Sequence, residues 1–140
     1  MDFSLTKEKI NKVSYQIIGA AIEVHKELGP GLLESIYQKC MTYELKRRGL
    51  FFVTESIIPL HYKGFSFDSN LRCDFYVENC LIVELKAVKE FEPIFNAQLL
   101  TYMKLMRAPK GILINFNCLN IFSNGQKTFV NEYFSELSEL

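Results

Sequence analysis

Charged side chains interrupt an otherwise apolar, β-branched segment, LRCDFYVENCLIVELKAV, and this segment constrains the fold more than any other. The polar residues 78–80 near its middle predict a turn between two antiparallel strands. Because successive side chains of a strand point to opposite faces, Glu84 and Lys86 project from the same face of the second strand. The segment therefore predicts a hairpin with Asp74 on one strand and Glu84 with Lys86 on the other.

The length of the turn sets which residues face each other. A three-residue loop over residues 78–80, with Asn79 in the left-handed conformation, places Asp74 directly opposite Glu84. Like charges at opposite positions of a sheet destabilise it, and burial penalises each charge further, so the pair requires a cation or a proton. Lys86 supplies one positive charge, and a divalent metal would supply the rest.

The trio has a chemical and a purely structural interpretation. Mg²⁺ prefers hard oxygen ligands such as the carboxylates of Asp74 and Glu84, and Mn²⁺ accepts the same ligands. Lys86 would then orient an attacking water or stabilise charge that develops on a phosphate. A salt bridge on a half-exposed hairpin is the commoner outcome when such a spacing occurs alone. The apolar setting and the helix that follows favour the chemical interpretation.

That following helix is predicted over residues 93–107, because Pro93 is tolerated in a first helical turn. Gln98 and Tyr102 lie four residues apart in the motif QLLTY and so share one face of this helix. They would reach the same cleft as the carboxylates. Alternatively, Gln98 lies on the surface and Tyr102 packs through its ring, which is the more common situation for such a pair considered alone.

The rest of the chain reads as alternating helical and extended segments, identified from apolar spacing, β-branched content and Gly, Pro and Asn turn signals. In chain order we predict an amphipathic helix over residues 6–28, a break at Gly29-Pro30-Gly31, a helix over residues 32–48, consecutive antiparallel strands over residues 51–88, a buried strand in GILINFN, a strand in NIFSNGQKTFV that turns at Asn124-Gly125 into a last strand, and a short acidic helix in VNEYFSELSEL.

The bulk composition indicates one folded domain over residues 1–140, with 49% hydrophobic and 23% charged residues. The formal net charge is zero, so nucleic-acid binding would depend on a local basic rim. The candidates for that rim are Lys46, Arg47, Arg48, Lys86, Lys89, Lys104, Arg107 and Lys110. The charged N-terminus and the lack of a membrane-length apolar run predict a cytoplasmic protein with no membrane association. The cysteines indicate neither zinc nor disulfides.

Taken in order, the motifs GLLESIY, DFYVENCLIVELKAV, AQLLTY and GILINF resemble those of the GxxExxY proteins, a family of the PD-(D/E)XK nuclease superfamily. The resemblance covers roughly residues 17–116. It implies an α/β fold with a PD-(D/E)XK nuclease-like core, in which a helix precedes a mixed sheet and helices pack on the faces of the sheet. It also implies an active site where the hairpin strands splay apart.

The resemblance assigns roles to individual residues. Asp74, Glu84 and Lys86 take the catalytic positions, and Glu34 looks like the first-helix acidic residue that joins metal binding. Gln98 with Tyr102 looks like the Q-x-x-x-Y motif, which completes the site and contacts the nucleic-acid strand. Glu34 has a second interpretation of equal weight, in which it favours the positive N-terminal end of its helix.

Three functions fit the sequence. The first is a nuclease dependent on Mg²⁺ or Mn²⁺ that cleaves DNA, with RNA the less favoured substrate and a protein partner that delivers it. The second is a non-catalytic module that binds nucleic acid or a partner and retains the nuclease fold; the intact carboxylate and lysine set argues against it. The third is a homo-oligomeric interaction protein with an aromatic surface that includes Phe51, Phe52, Tyr133 and Phe134.

Overall fold

The computed structural model describes residues 5–140. Four α-helices are present in this range: α1 (Lys7–Leu28), α2 (Glu34–Arg47), α3 (Pro93–Met106) and α4 (Glu132–Ser135). The strands are β1 (Phe52–Ile57), β2 (Leu60–Tyr62), β3 (Phe65–Phe67), β4 (Arg72–Val77), β5 (Leu81–Lys86), β6 (Lys110–Asn115) and β7 (Gln126–Val130). The predicted helices and hairpin are present, with ends that differ by one or two residues.

Five strands form one mixed sheet in the order β1-β4-β5-β6-β7. All neighbours are antiparallel except β5 and β6, which run parallel. Parallel neighbours require a crossover connection, and α3 provides it. Strands β2 and β3 form a separate two-stranded hairpin inserted between β1 and β4. The start of β4 therefore follows the inserted hairpin, and the end of β5 leads into α3.

Helices cover both faces of the sheet, as the sequence predicts. On one face, α1 and α2 pack against alternate residues of the central strands such as Val83 and Leu85. On the other face, α3 packs against a second apolar cluster that includes Ile82 and Leu113. The side chain of Glu84 projects on the α3 side because strand side chains alternate. Among residues 5–140, no helix is long and apolar enough to span a membrane.

The predicted strand before Asn124-Gly125 is wrong. A short π-helix, Ile121–Gly125, occupies this position, and β7 begins only after it. The side-chain carbonyl of Asn120 accepts a hydrogen bond from the backbone N–H of Ser123, and the backbone carbonyl of Asn120 accepts one from Asn124. Local asparagine bonds of this kind compete with a strand ladder and favour a turn.

Candidate functional site

Asp74 and Glu84 lie where the backbone pairing of β4 and β5 stops. The paired residues end at Phe75 opposite Val83, so Asp74 and Glu84 are next in the same register. Beyond this point, hydrogen bonds from backbone N–H groups to the two carboxylates replace the backbone hydrogen bonds between the strands. Glu84 Oε2 accepts the backbone N–H of Asp74 at 2.8 Å, and Asp74 Oδ2 accepts the backbone N–H of Leu85 at 2.7 Å. The strands thus splay at the carboxylate pair, in the register that the three-residue turn predicts.

The two carboxyl groups disfavour ionising together. Burial, followed by the negative charge of Asp74, raises the pKa of Glu84 to about 8. Burial also raises the pKa of Asp74, although hydrogen bonds from the Leu85 backbone and from the Glu84 side chain oppose that shift. Because Glu84 is only 7% exposed, a second buried negative charge is unfavourable there at neutral pH. The raised pKa of Glu84 therefore favours its protonated form at neutral pH unless a cation offsets the negative charge.

Lys86 is the last residue of β5 and lies near this pair without forming an ion pair with it among the described residues. Its Nζ sits over the ring of Phe95 on α3, 4.6 Å from the ring centroid. Its charge lowers the pKa of Glu34, Asp74 and Glu84, although more weakly than burial raises it. The amine is thus held beside the carboxylates by an aromatic ring, in a position to meet an anionic group.

Glu34 is the first residue of α2, and the charges of Asp74 and Lys86 act on its carboxyl group. Burial raises the pKa of its carboxyl group, and the next largest cause is the charge of Asp74. An electrostatic effect between the two carboxyl groups indicates that they are near one another. Glu34 begins a helix, as one interpretation expects, and its part in metal binding stays a prediction.

The two α3 residues of the sequence motif lie in different surroundings. Tyr102 is 8% exposed, and burial raises the pKa of its phenol, followed by the charges of Glu84, Cys73 and Asp74. Tyr102 therefore lies beside the carboxylate pair. Gln98 is exposed, and its side chain makes no hydrogen bond within the described part of the chain. The structure brings Tyr102 to the pair and leaves Gln98 open to solvent.

A family model of the PD-(D/E)XK nuclease superfamily matches residues 11–128. The chain belongs to the PD-(D/E)XK nuclease superfamily. The matched range spans the whole five-stranded sheet except the end of β7 and includes every candidate residue described above. Membership indicates a nuclease-type function and a nucleic-acid substrate. No curated protein and no solved structure matches the chain.

PD-(D/E)XK nucleases typically use a divalent metal, and the carboxylates of this site are the groups that would hold it. Within residues 5–140, no group of three or more His, Cys, Asp or Glu side chains has the arrangement of a complete metal site. Two adjacent carboxylates nevertheless fit the few protein ligands with which Mg²⁺ is commonly held, since water and substrate oxygens fill its other positions. Glu84 is buried next to the Asp74 carboxyl group at the end of the strand pairing, and a cation would offset their negative charge. The residues present therefore fit the metal.

Sequence reasoning missed Glu55. On β1, Thr54 pairs with Phe75 and Ser56 with Cys73, so Glu55 lies opposite Asp74 in register. Its charge raises the pKa of Asp74, and its carboxylate accepts a hydrogen bond from Gln38 on α2 at 2.7 Å. Its backbone has a positive φ of 48°, which is uncommon for a residue with a side chain. Only the pairing of β1 with β4, which are separated by the inserted hairpin, reveals this neighbour.

Two further residues, Tyr37 and Asn115, hold the site in place. Tyr37 donates its hydroxyl to the carbonyl of Gly29 at 2.7 Å and accepts the N–H of Leu32 at 3.1 Å, which closes the turn before Glu34. Asn115 binds both the N–H and the carbonyl of Val88 and so fixes the chain that follows Lys86. A lone Asn inside the apolar run GILINF was a signal for the second of these.

Proposed function

We propose that this chain is a metal-dependent nuclease of the GxxExxY group that hydrolyses phosphodiester bonds in DNA, with RNA the less favoured substrate. The domain comprises residues 1–140, and Mg²⁺ or Mn²⁺ is the cofactor. The observation that carries the proposal is the buried Asp74–Glu84 pair at the splayed end of two strands. Burying two carboxyl groups side by side is unfavourable unless a cation neutralises their charge.

The residues have the following proposed roles. Asp74 and Glu84 hold the metal, and Glu34 contributes to the same site from α2. When bound, a divalent metal supplies positive charge that polarises a phosphoryl oxygen and makes water a stronger nucleophile. Lys86 offsets charge that develops on the phosphate, since its ammonium group is the nearest cation on the same strand.

Tyr102 and Gln98 act on the substrate strand in this proposal. Because its pKa is raised, the Tyr102 phenol keeps its proton at neutral pH and remains a hydrogen-bond donor beside the carboxylates. Gln98 lies one helical turn earlier on α3 and is exposed, so its amide is free to meet a phosphate or sugar oxygen. Both residues therefore position the strand rather than move protons.

The test combines metal binding with cleavage. Mg²⁺ and then Mn²⁺ are titrated calorimetrically into the wild-type protein and into an Asp74→Asn, Glu84→Gln double variant, which keeps shape and removes charge. Labelled single- and double-stranded DNA and RNA report cleavage. We expect the double variant to lose metal binding and to lose cleavage by about 100-fold or more. A Glu90→Gln, Glu92→Gln variant is the matched control, since it removes two carboxylates from the loop next to Lys86.

The possible outcomes separate the functions. Metal binding without cleavage of any substrate would contradict the nuclease and favour a binding module that retains the fold. Equal behaviour of the double variant and the control would make the pair a structural network. The aromatic surface suggested for oligomerisation gains no support from this structure, because Phe52 and Phe134 pack against the core and only Phe51, at 57%, is largely exposed.

A further inference from the structure

The inserted hairpin carries its aromatic side chains on one face. Leu60 is opposite Phe67 and Tyr62 is opposite Phe65, and cross-strand partners point to the same side. The other face carries His61 and Ser66, which are joined by a hydrogen bond. Tyr62, Phe65 and Phe67 are 63%, 62% and 43% exposed. The hairpin thus presents three rings to solvent on one side.

Two of these rings are already stacked on each other in the protein alone. The rings of Phe65 and Phe67 are stacked, with centroids 5.1 Å apart and planes 25° from parallel. A two-stranded hairpin is at best marginally stable alone, and exposed apolar patches on folded proteins mark binding surfaces. The hairpin would be expected to bury these rings against its own chain if they served only stability. Their exposure indicates a partner with flat apolar faces.

The charges around the rings are those that attract an anion. Lys63 at the hairpin tip holds its Nζ 5.5 Å from the Tyr62 ring centroid, and Arg72 at the hairpin base donates only to the carbonyl of Leu71. Neither cation forms an ion pair within residues 5–140. Asp68 is the one acidic residue of the segment 58–72, and its carboxylate accepts the N–H of Asn70. The hairpin is therefore locally basic in a neutral chain.

The hairpin is continuous with the candidate site. Its base is closed where Ile57 pairs with Arg72 and where the N–H of Ile58 binds the carbonyl of Leu71. Arg72 lies two residues before Asp74 on β4, and the two side chains share a face because strands alternate. Ile58 is buried in the same apolar cluster as Tyr102. A nucleic-acid strand bound at the carboxylates would thus pass Arg72 before it reaches the aromatic rings of the hairpin.

We propose that the Tyr62, Phe65 and Phe67 face is a stacking platform for unpaired nucleotides next to the scissile phosphate. The substrate is then a single strand, or a single-stranded region of a larger nucleic acid; this inference rests on the proposed nuclease function. Bases stack on aromatic rings without regard to sequence, whereas paired bases hide their faces inside a duplex. Lys63 and Arg72 contact the phosphates of the stacked nucleotides. A second copy of this chain fits less well, because self-pairing of the faces would bring two Lys63 side chains together.

The experiment measures binding without cleavage, in the presence of a chelator. Fluorescence anisotropy compares wild-type protein with a Tyr62→Leu, Phe65→Leu, Phe67→Leu variant, which removes the rings and keeps apolar side chains. The control is Tyr15→Leu, since Tyr15 is an exposed ring on α1. The probes are a mixed-sequence single strand, an abasic strand of equal length, and a duplex. We expect the triple variant to bind the single strand about 10-fold or more weakly and the control to bind it normally.

The abasic strand tests the platform even if the triple variant fails to fold. Wild-type protein should bind it as weakly as the triple variant binds the normal strand, because stacking needs bases. Equal wild-type affinity for the abasic and normal strands overturns the proposal, as does preference for the duplex or lack of single-strand binding. Sedimentation that shows a wild-type dimer and a monomeric triple variant also overturns it. Because this assay needs neither metal nor cleavage, its failure is distinguishable from a failure of the proposed nuclease function.

Discussion

Glu84 has a carboxyl group that ionises at a cost, because it is buried against the carboxyl group of Asp74. In the unfolded chain the same group ionises near pH 4.5. Between pH 4.5 and about 8, the folded protein therefore binds one proton more than the unfolded chain. A raised carboxyl pKa stabilises the fold at low pH, and this contribution is lost as pH rises through the folded value.

We predict that, with metal removed by a chelator, the free energy of unfolding falls as pH rises from 4.5 to about 8. Each unit of pKa difference corresponds to about 1.4 kcal/mol, so a fall of a few kcal/mol is expected. Glu84→Gln should flatten this part of the curve, since glutamine keeps the shape and does not ionise. Urea denaturation at several pH values measures both proteins. Parallel curves for the two proteins would contradict the raised pKa of Glu84.

At the scale of single residues, the opposition of Asp74 and Glu84 follows from local sequence, because a three-residue turn fixes the register over the few residues between them. The position of Glu55 opposite Asp74 does not follow from local sequence. Its neighbour Asp74 is 19 positions away along the chain and is reached only through the pairing of β1 with β4. The separate β2–β3 hairpin between them hides that register from local patterns.

The start of α2 depends on one side chain from the helix itself. Tyr37 is fully buried, its hydroxyl bridges Gly29 and Leu32, and its ring stacks on Phe116 with centroids 4.4 Å apart. Phe116 donates its N–H to the carbonyl of Lys86. Tyr37 thus connects the turn that precedes Glu34 to the strand end that carries Lys86.

We predict that Tyr37→Phe lowers the free energy of unfolding by about 1–2 kcal/mol, because it leaves the N–H of Leu32 and the carbonyl of Gly29 without their partner. If the nuclease assignment holds, kcat should fall more than KM rises, since Glu34 is displaced while the substrate surface is kept. Tyr43→Phe on the exposed side of α2 is the control. Equal effects of the two substitutions in thermal melts and in cleavage assays would show that the bridge has no such role.

The π-helix shows the limit of prediction for an element. The motif NIFSNGQKTFV has the β-branched and aromatic residues of a strand followed by a turn signal. In the structure, Asn120 and Asn124 bind each other's backbones and hold a tight turn, with Ile121 buried beneath it. Local asparagine hydrogen bonds, together with the burial of Ile121, therefore override strand propensity here.

The whole molecule has no net charge to attract a polyanion. Counterion release then depends on cations near the proposed path of the nucleic-acid strand, which include Lys63, Arg72 and Lys86. We predict a slope of about −2 for the logarithm of the single-strand binding constant against the logarithm of salt concentration. Lys63→Gln should make the slope less steep by about 0.7.

Salt titrations of binding measure this slope. Lys12→Gln on α1 is the control, since Lys12 is exposed and pairs with Glu8. A wild-type slope several times steeper would mean that cations spread over the surface carry the binding. An unchanged slope for Lys63→Gln would remove the hairpin tip from the phosphate path.

Sequence alone determined the α/β class, the helices and the facing of Asp74 and Glu84, because each depends on local periodicity, turn chemistry or a short hairpin. Only the tertiary structure decided that β1 lies beside β4, that Tyr37 closes the turn before Glu34, and that the β2–β3 rings stay exposed beside the site. These features depend on contacts between residues far apart in the chain. Which side chains become buried, and which remain open to a partner, is settled when those distant segments pack together.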